Sequence, residues 1–90
     1  MGERRTLAIT NVRGLHARAS RKLAEIALRY ESHIVVRKEG EEADARSLMD
    51  LMMLGAGIGS EIEVEAEGPD SAAALDAIEA LVVDKFHEEE

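Results

Sequence analysis

The sequence contains no cysteine or tryptophan, a single proline, and only two aromatic residues, Tyr30 and Phe86. Without cysteine the chain has no disulfide bonds, thiolate nucleophiles or cysteine-ligated metals. The scarcity of aromatic side chains and the formal net charge of −8 disfavour nucleic-acid binding, which uses base stacking and basic surfaces. No apolar run approaches the ~20 residues of a transmembrane helix, so no membrane partner is expected.

The composition that remains is that of a small globular protein. The 90 residues are 46% hydrophobic, which predicts a single domain over residues 1–90 with one modest core. The first residues, Met1–Arg5, lack the apolar stretch of a secretory signal, and we therefore expect a cytoplasmic protein. His33 and His87 have no third ligand at metal spacing, so the sequence predicts no metal site.

Hydrophobic periodicity predicts the element order β-α-β-β-α-β-α. The predicted strands are residues 6–10, 33–38, 42–45 and 61–67, and the predicted helices are 17–30, 48–54 and a final one from about residue 70 that reaches Phe86. This order indicates an α+β fold, an open-faced β-sandwich whose four-stranded, mainly antiparallel sheet carries three helices on one face. The acidic tail, Glu88–Glu90, is expected to be frayed and solvated.

The segment Gly14–Arg18 lies between the first predicted strand and the first predicted helix. A helix start offers unpaired N–H groups and the positive end of the macrodipole, which together attract anions. The imidazole of His16 is a nucleophile toward phosphorus, and the guanidinium of Arg18 can hold phosphate oxygens. These residues predict a phosphate-handling site. The alternative is a solvated loop histidine after a turn glycine, with Arg18 an ordinary surface residue.

Two further features lie in the second predicted helix. Ser47 is a predicted N-cap, and Asp50 three residues later gives an imperfect capping box. Three methionines, Met49, Met52 and Met53, are typical of a core, but flexible thioethers also suit a surface that meets several partners.

Taken with the predicted fold, these residues resemble the HPr family, the histidine phosphocarriers of the bacterial phosphoenolpyruvate-dependent phosphotransferase system. The resemblance covers nearly the whole chain and rests on two strings at their mutual spacing, Gly14–Arg18 and Ala45–Met49. Residues 62–66, Gly68-Pro69 and the acidic tail after Phe86 favour the nitrogen-type (NPr) branch of the family, which feeds a regulatory cascade.

The resemblance implies a role for each matching residue. His16 corresponds to the phosphoryl-accepting histidine and Arg18 to the arginine that assists transfer. The donor would be enzyme I, charged from phosphoenolpyruvate, and the acceptor an enzyme IIA protein or domain. Ser47 corresponds to the serine that an HPr kinase/phosphorylase modifies in many lineages. An apolar docking patch for both partners is implied at four residues: Leu48, Met49, Met52 and Met53. Such a protein is a monomeric carrier rather than a stand-alone enzyme, and it uses no cofactor.

The chain departs from the family pattern at two positions. Ala19 stands where the family usually has proline, which predicts a looser loop before the first helix. Arg13 adds a second cation near the site. A regulatory protein-binding module controlled by Ser47 phosphorylation, with weak or no transfer, is therefore the alternative function. A hydrolase with His16 as base is disfavoured, since the sequence shows no second lobe and no nucleophile.

Overall fold

The computed structural model describes residues 2–90, which form a four-stranded sheet and three α-helices. The strands are β1 (Gly2–Ala8), β2 (His33–Lys38), β3 (Glu41–Asp44) and β4 (Glu61–Glu67). The helices are α1 (Ala17–Ala27), α2 (Leu48–Met53) and α3 (Ser71–Val83), and a short 3₁₀ turn with a left-handed backbone follows at Lys85–His87. The strand order is β1-β4-β2-β3, and every neighbouring pair is antiparallel.

The central strand β4 shows how the sequence sets the two faces of the sheet. Ile62, Val64 and Ala66 are fully buried, while the alternating glutamates lie toward solvent. Val64 is paired with Val36 of β2, and Ile62 with Leu7 of β1. Since side chains alternate across a strand, these pairs place one apolar face of the sheet against the helices.

The helices cover that face with small and branched apolar side chains. Leu23 of α1, Leu51 of α2 and Ile78 of α3 are fully buried. Within residues 2–90, no helix is long and apolar enough to cross a membrane.

The predicted fold class and element order are confirmed, and the differences lie at element ends. Strand β1 begins at Gly2 rather than at Thr6, and α1 ends at Ala27 rather than at Tyr30. Phe86, predicted as part of the last helix, instead lies in the 3₁₀ turn after it, with a fully buried side chain.

Candidate functional site

The loop between β1 and α1 closely approaches the segment that follows α2. Gly14 in this loop has a left-handed backbone with φ of +64°, and a Cβ atom there would lie 2.3 Å from the carbonyl oxygen of Ala56. Because both groups in this contact are backbone or Cβ, no rotamer change relieves it. Residue 14 must therefore be glycine, on grounds of both conformation and space.

We expect Gly14→Ala to lower the free energy of unfolding by about 1–2 kcal/mol from its left-handed backbone alone, and further because Ala56 is displaced. Urea denaturation measures the loss. Gly57→Ala is the matched control, since a Cβ at Gly57 meets nothing within 4 Å. Equal stabilities of the two variants would contradict the close approach.

Hydrogen bonds hold the remainder of this loop. The N–H of Leu15 donates to the carbonyl of Ala56 at 2.8 Å, and the buried hydroxyl of Ser20 donates to the carbonyl of Leu15 at 3.0 Å. The Nδ2 of Asn11, also buried, donates to the carbonyl of Gly14 at 2.9 Å. These bonds tie the backbone before His16 both to α1 and to the segment that follows α2.

His16 is the N-cap residue of α1, and its side chain makes no capping hydrogen bond. The first helical bond runs from the N–H of Ser20 to the carbonyl of His16, at 2.8 Å. The N–H groups of Ala17, Arg18 and Ala19 therefore have no helical acceptor. The imidazole thus lies at an electropositive helix start.

Glu88 of the acidic tail packs against this histidine, so the prediction of a solvated tail is corrected at Glu88, while Glu89 and Glu90 are exposed. The Nε2 of His16 is hydrogen-bonded to Oε2 of Glu88, and Nδ2 of Asn11 donates to Oε1 of Glu88 at 3.0 Å. Burial raises the pKa of the Glu88 carboxyl, but these two hydrogen bonds, together with the charges of His16 and Lys22, outweigh burial and leave the pKa below its usual value. The carboxylate is ionised at neutral pH and only accepts, so we assign the shared proton to Nε2.

Three cationic side chains surround the shallow cleft between the tail and α1. Arg13, Arg18 and Lys22 line this cleft together with Val12 and residues 87–90. The Nζ of Lys22 donates to the carbonyl of Phe86 at 2.6 Å. Arg18 is exposed, and its guanidinium forms no salt bridge within residues 2–90. It is therefore available to bind an anion.

The second predicted feature, Ser47, caps α2. Its hydroxyl accepts from the N–H of Asp50 at 3.2 Å, as the sequence predicted. Four side chains of this helix remain accessible, with exposed fractions of 37% for Leu48, 68% for Met49, 41% for Met52 and 75% for Met53. Ala56 follows α2 by three residues, and its carbonyl accepts from the N–H of Leu15, the residue before His16. The apolar surface of α2 therefore lies close to the loop that carries His16.

Comparison with known proteins identifies the family. A family model described as "PTS HPr component phosphorylation site" matches residues 3–84. The chain belongs to the HPr family. It is accordingly a phosphocarrier of the phosphotransferase system, and the resemblance drawn from the two sequence strings is confirmed.

Members of both named branches of the HPr family are similar to this chain. Phosphocarrier protein HPr of Cupriavidus necator is 45% identical over 86 residues, covering 96% of this chain and 97% of that one. Phosphocarrier protein NPr of Escherichia coli K12 is 41% identical over 90 residues, covering 99% and 100%. The crystal structure of HPr-C-His from Thermoanaerobacter tengcongensis superposes with a TM-score of 0.94 at 35% identity, covering 98% and 99%.

The structure adds three residues to the site that sequence reasoning missed. Asn11 and Ser20 fix the backbone before His16, and Glu88 contacts its ring. An asparagine three residues before Gly14 is a turn signal and could have been noticed. No local signal marks Glu88, because only the fold brings the tail to α1. No cluster of three potential metal ligands occurs within residues 2–90.

Proposed function

We propose that His16 accepts a phosphoryl group from phosphorylated enzyme I and passes it to an enzyme IIA protein or domain. The nucleophile is Nδ1, because the proton on Nε2 is held by Glu88 and Nδ1 keeps its lone pair in the neutral ring. Arg18 stabilises the negative charge on the phosphoryl oxygens during transfer. Residues 1–90 act as one carrier domain.

The observation that supports this proposal most strongly is the setting of the free ring nitrogen. No hydrogen bond from residues 2–90 reaches Nδ1, and the ring sits at the α1 start where three N–H groups lack helical acceptors. A phosphoryl group on Nδ1 brings negative charge to these donors and to the helix dipole. The same donors stabilise the charge that develops in transfer.

Incubation with enzyme I and phosphoenolpyruvate tests the proposal. We expect the chain to gain one phosphoryl group, labile in acid and stable in base as a phosphohistidine is. Addition of an enzyme IIA protein should then discharge it. A chain that stays unmodified with active enzyme I would overturn the carrier function and favour the alternative, a regulatory binding module.

We place the carrier in the nitrogen-type branch. The support is the sequence pattern at residues 62–69, the acidic tail of this chain, and the match to the Escherichia coli NPr over 99% of this chain. A nitrogen-type enzyme IIA should then discharge the phosphorylated chain faster than a sugar-type one. We further propose that the protein is cytoplasmic and monomeric. It is monomeric because a surface that binds two partners in turn cannot be covered by a second copy of the chain.

The exposed apolar side chains of α2 are proposed as the docking patch for donor and acceptor, comprising Leu48, Met49, Met52 and Met53. A surface that must release each partner quickly should bury little area, at the low end of interface sizes. Flexible thioethers repack against differently shaped partners, which suits a patch used by two proteins.

We expect Met49→Glu to weaken binding to both enzyme I and enzyme IIA by roughly tenfold or more, because an unpaired charge must lose its water at the interface. Titration calorimetry measures both affinities. Leu28→Glu is the matched control, since Leu28 is 64% exposed and lies at the opposite end of α1 from His16. Equal affinities for the two variants would remove Met49 from the docking patch.

Ser47 is proposed as a regulatory phosphorylation site, served by an HPr kinase/phosphorylase where one is present. We expect phosphorylation of Ser47 to slow transfer from enzyme I, because it adds about two negative charges beside the apolar docking patch. Rates at limiting enzyme I measure the effect. If the effect fades with added salt, long-range repulsion dominates; if it persists, local desolvation does.

Ser47→Ala separates capping from regulation. Loss of the hydrogen bond from Asp50 should reduce the free energy of unfolding by ~1 kcal/mol without changing the transfer rate. Equal transfer rates for phosphorylated and unmodified wild-type chains would leave Ser47 with the capping role alone.

A further inference from the structure

The backbone reverses direction after α3 and returns the chain to the start of α1. Lys85, Phe86 and His87 have successive positive φ values of 55°, 56° and 65°. Such a backbone is costly for residues other than glycine and persists only where its surroundings enforce it. The fully buried side chain of Phe86 anchors this turn in the core.

Separate hydrogen bonds then fix the tail beyond the turn. Lys22 holds the carbonyl of Phe86 at 2.6 Å, and the N–H of Val12 donates to a backbone oxygen of Glu90 at 3.0 Å. Asn11, itself fully buried, holds one carboxylate oxygen of Glu88. The second oxygen of that carboxylate is thereby aimed at the ring of His16.

The contact between Glu88 and His16 is largely shielded from solvent. The exposed fractions of the two side chains are 15% and 22%. A hydrogen bond to a carboxylate is stronger in such surroundings than in open water. Glu89, the next residue, is exposed and makes no such contact within residues 2–90.

We propose that Glu88 is a positioning residue for phosphoryl transfer, holding the Nε2–H of His16 so that the ring keeps one orientation and presents Nδ1 as the nucleophile. The inference rests on the proposed function of His16. In the transfer, the Nδ1 lone pair forms the bond to phosphorus. The bond from phosphorus to the donor's leaving atom breaks, and its electron pair stays on that atom.

The same carboxylate acts on the product of this step. The proton on Nε2 remains while Nδ1 becomes substituted, so the phosphorylated ring carries one positive charge. Glu88 neutralises this charge across the existing hydrogen bond. Discharge to the acceptor reverses the step and restores the neutral ring with its proton still on Nε2.

Glu88→Gln tests the inference, with Glu89→Gln as the matched control because each variant removes one negative charge from the same tail. Proton–nitrogen correlation spectra of the unphosphorylated protein report which ring nitrogen of His16 carries the proton. We expect the neutral ring to be protonated at Nε2 in wild type and Glu89→Gln, and to be a mixture of tautomers in Glu88→Gln. Transfer from enzyme I to Glu88→Gln should be slower by about tenfold, as for the loss of one charge-assisted hydrogen bond.

The outcomes separate this inference from the proposed function. An unchanged tautomer in Glu88→Gln, or equal transfer rates for the two variants, overturns the positioning role while phosphorylation of the wild type still stands. Faster transfer to Glu88→Gln would also overturn the positioning role, because it would show that the tail inhibits phosphorylation of His16. A wild-type chain that takes up no phosphoryl group overturns the proposed function, and the positioning role with it.

Discussion

We expect His16→Ala to take up no phosphoryl group from enzyme I and phosphoenolpyruvate, under conditions in which the wild-type chain is fully charged. The variant loses the nucleophile, and the helix donors and Arg18 that remain cannot replace it. Labelled phosphoenolpyruvate followed by acid and base treatment of the product measures the loss. The effect is all or none.

The two other histidines supply the controls for this experiment. His33 lies in β2 and His87 pairs with Asp84 in the 3₁₀ turn, and neither is at the start of a helix with free N–H groups. His33→Ala and His87→Ala should both remain chargeable. Persistent labelling of His16→Ala would move the phosphoryl group to another residue and end the assignment.

We expect Arg18→Ala to slow transfer by about 10- to 150-fold, which corresponds to one charge-assisted contact of roughly 1.5–3 kcal/mol. The guanidinium is exposed and forms no salt bridge within the described part of the chain, so the fold should survive its removal. Rapid-quench transfer rates and a thermal melt measure the two quantities separately.

Arg21→Ala is the matched control for Arg18→Ala. Arg21 is exposed on the same helix and carries the same charge, but it does not line the cleft beside the tail. Removal of Arg21 changes the net charge, and with it the long-range electrostatic steering of association with a partner, to the same extent as removal of Arg18. It removes no contact at the site. Near-equal rates for the two variants would show that Arg18 acts only through net charge.

The fold followed from the sequence wherever one element's own pattern decides the outcome. Alternation placed β4 at its observed bounds, and the helical spacing placed the start of α1 at Ala17, although α1 ends three residues earlier than predicted. The start of β1 was missed because charged residues precede Thr6 and hide the strand. Pairing with β4 extends the strand to Gly2, and Arg5 on its helix-facing side pairs with Asp76 and Glu79 of α3, at 2.7 and 2.8 Å. Such long-range partners are invisible in a local pattern.

The candidate site, like the fold, could be predicted only where one short stretch of sequence decides the outcome. The helix start and His16 could be predicted because both lie within one short string. The contact between Glu88 and His16 joins residues 72 positions apart. It depends on a left-handed turn that contains no glycine, the residue that would have indicated such a turn in the sequence. Three consecutive glutamates favour a solvated tail locally, but the buried Phe86 and the bonds from Lys22 and Asn11 override that preference.

The central claim is that Nδ1 of His16 carries the phosphoryl group. Correlation spectra of the isotope-labelled chain after charging by enzyme I locate the phosphorus on one ring nitrogen directly. We predict that Nδ1 of His16 becomes substituted, with the proton retained on Nε2 and the rings of His33 and His87 unchanged. Phosphorus on Nε2 of His16, or on any other residue, would contradict the account.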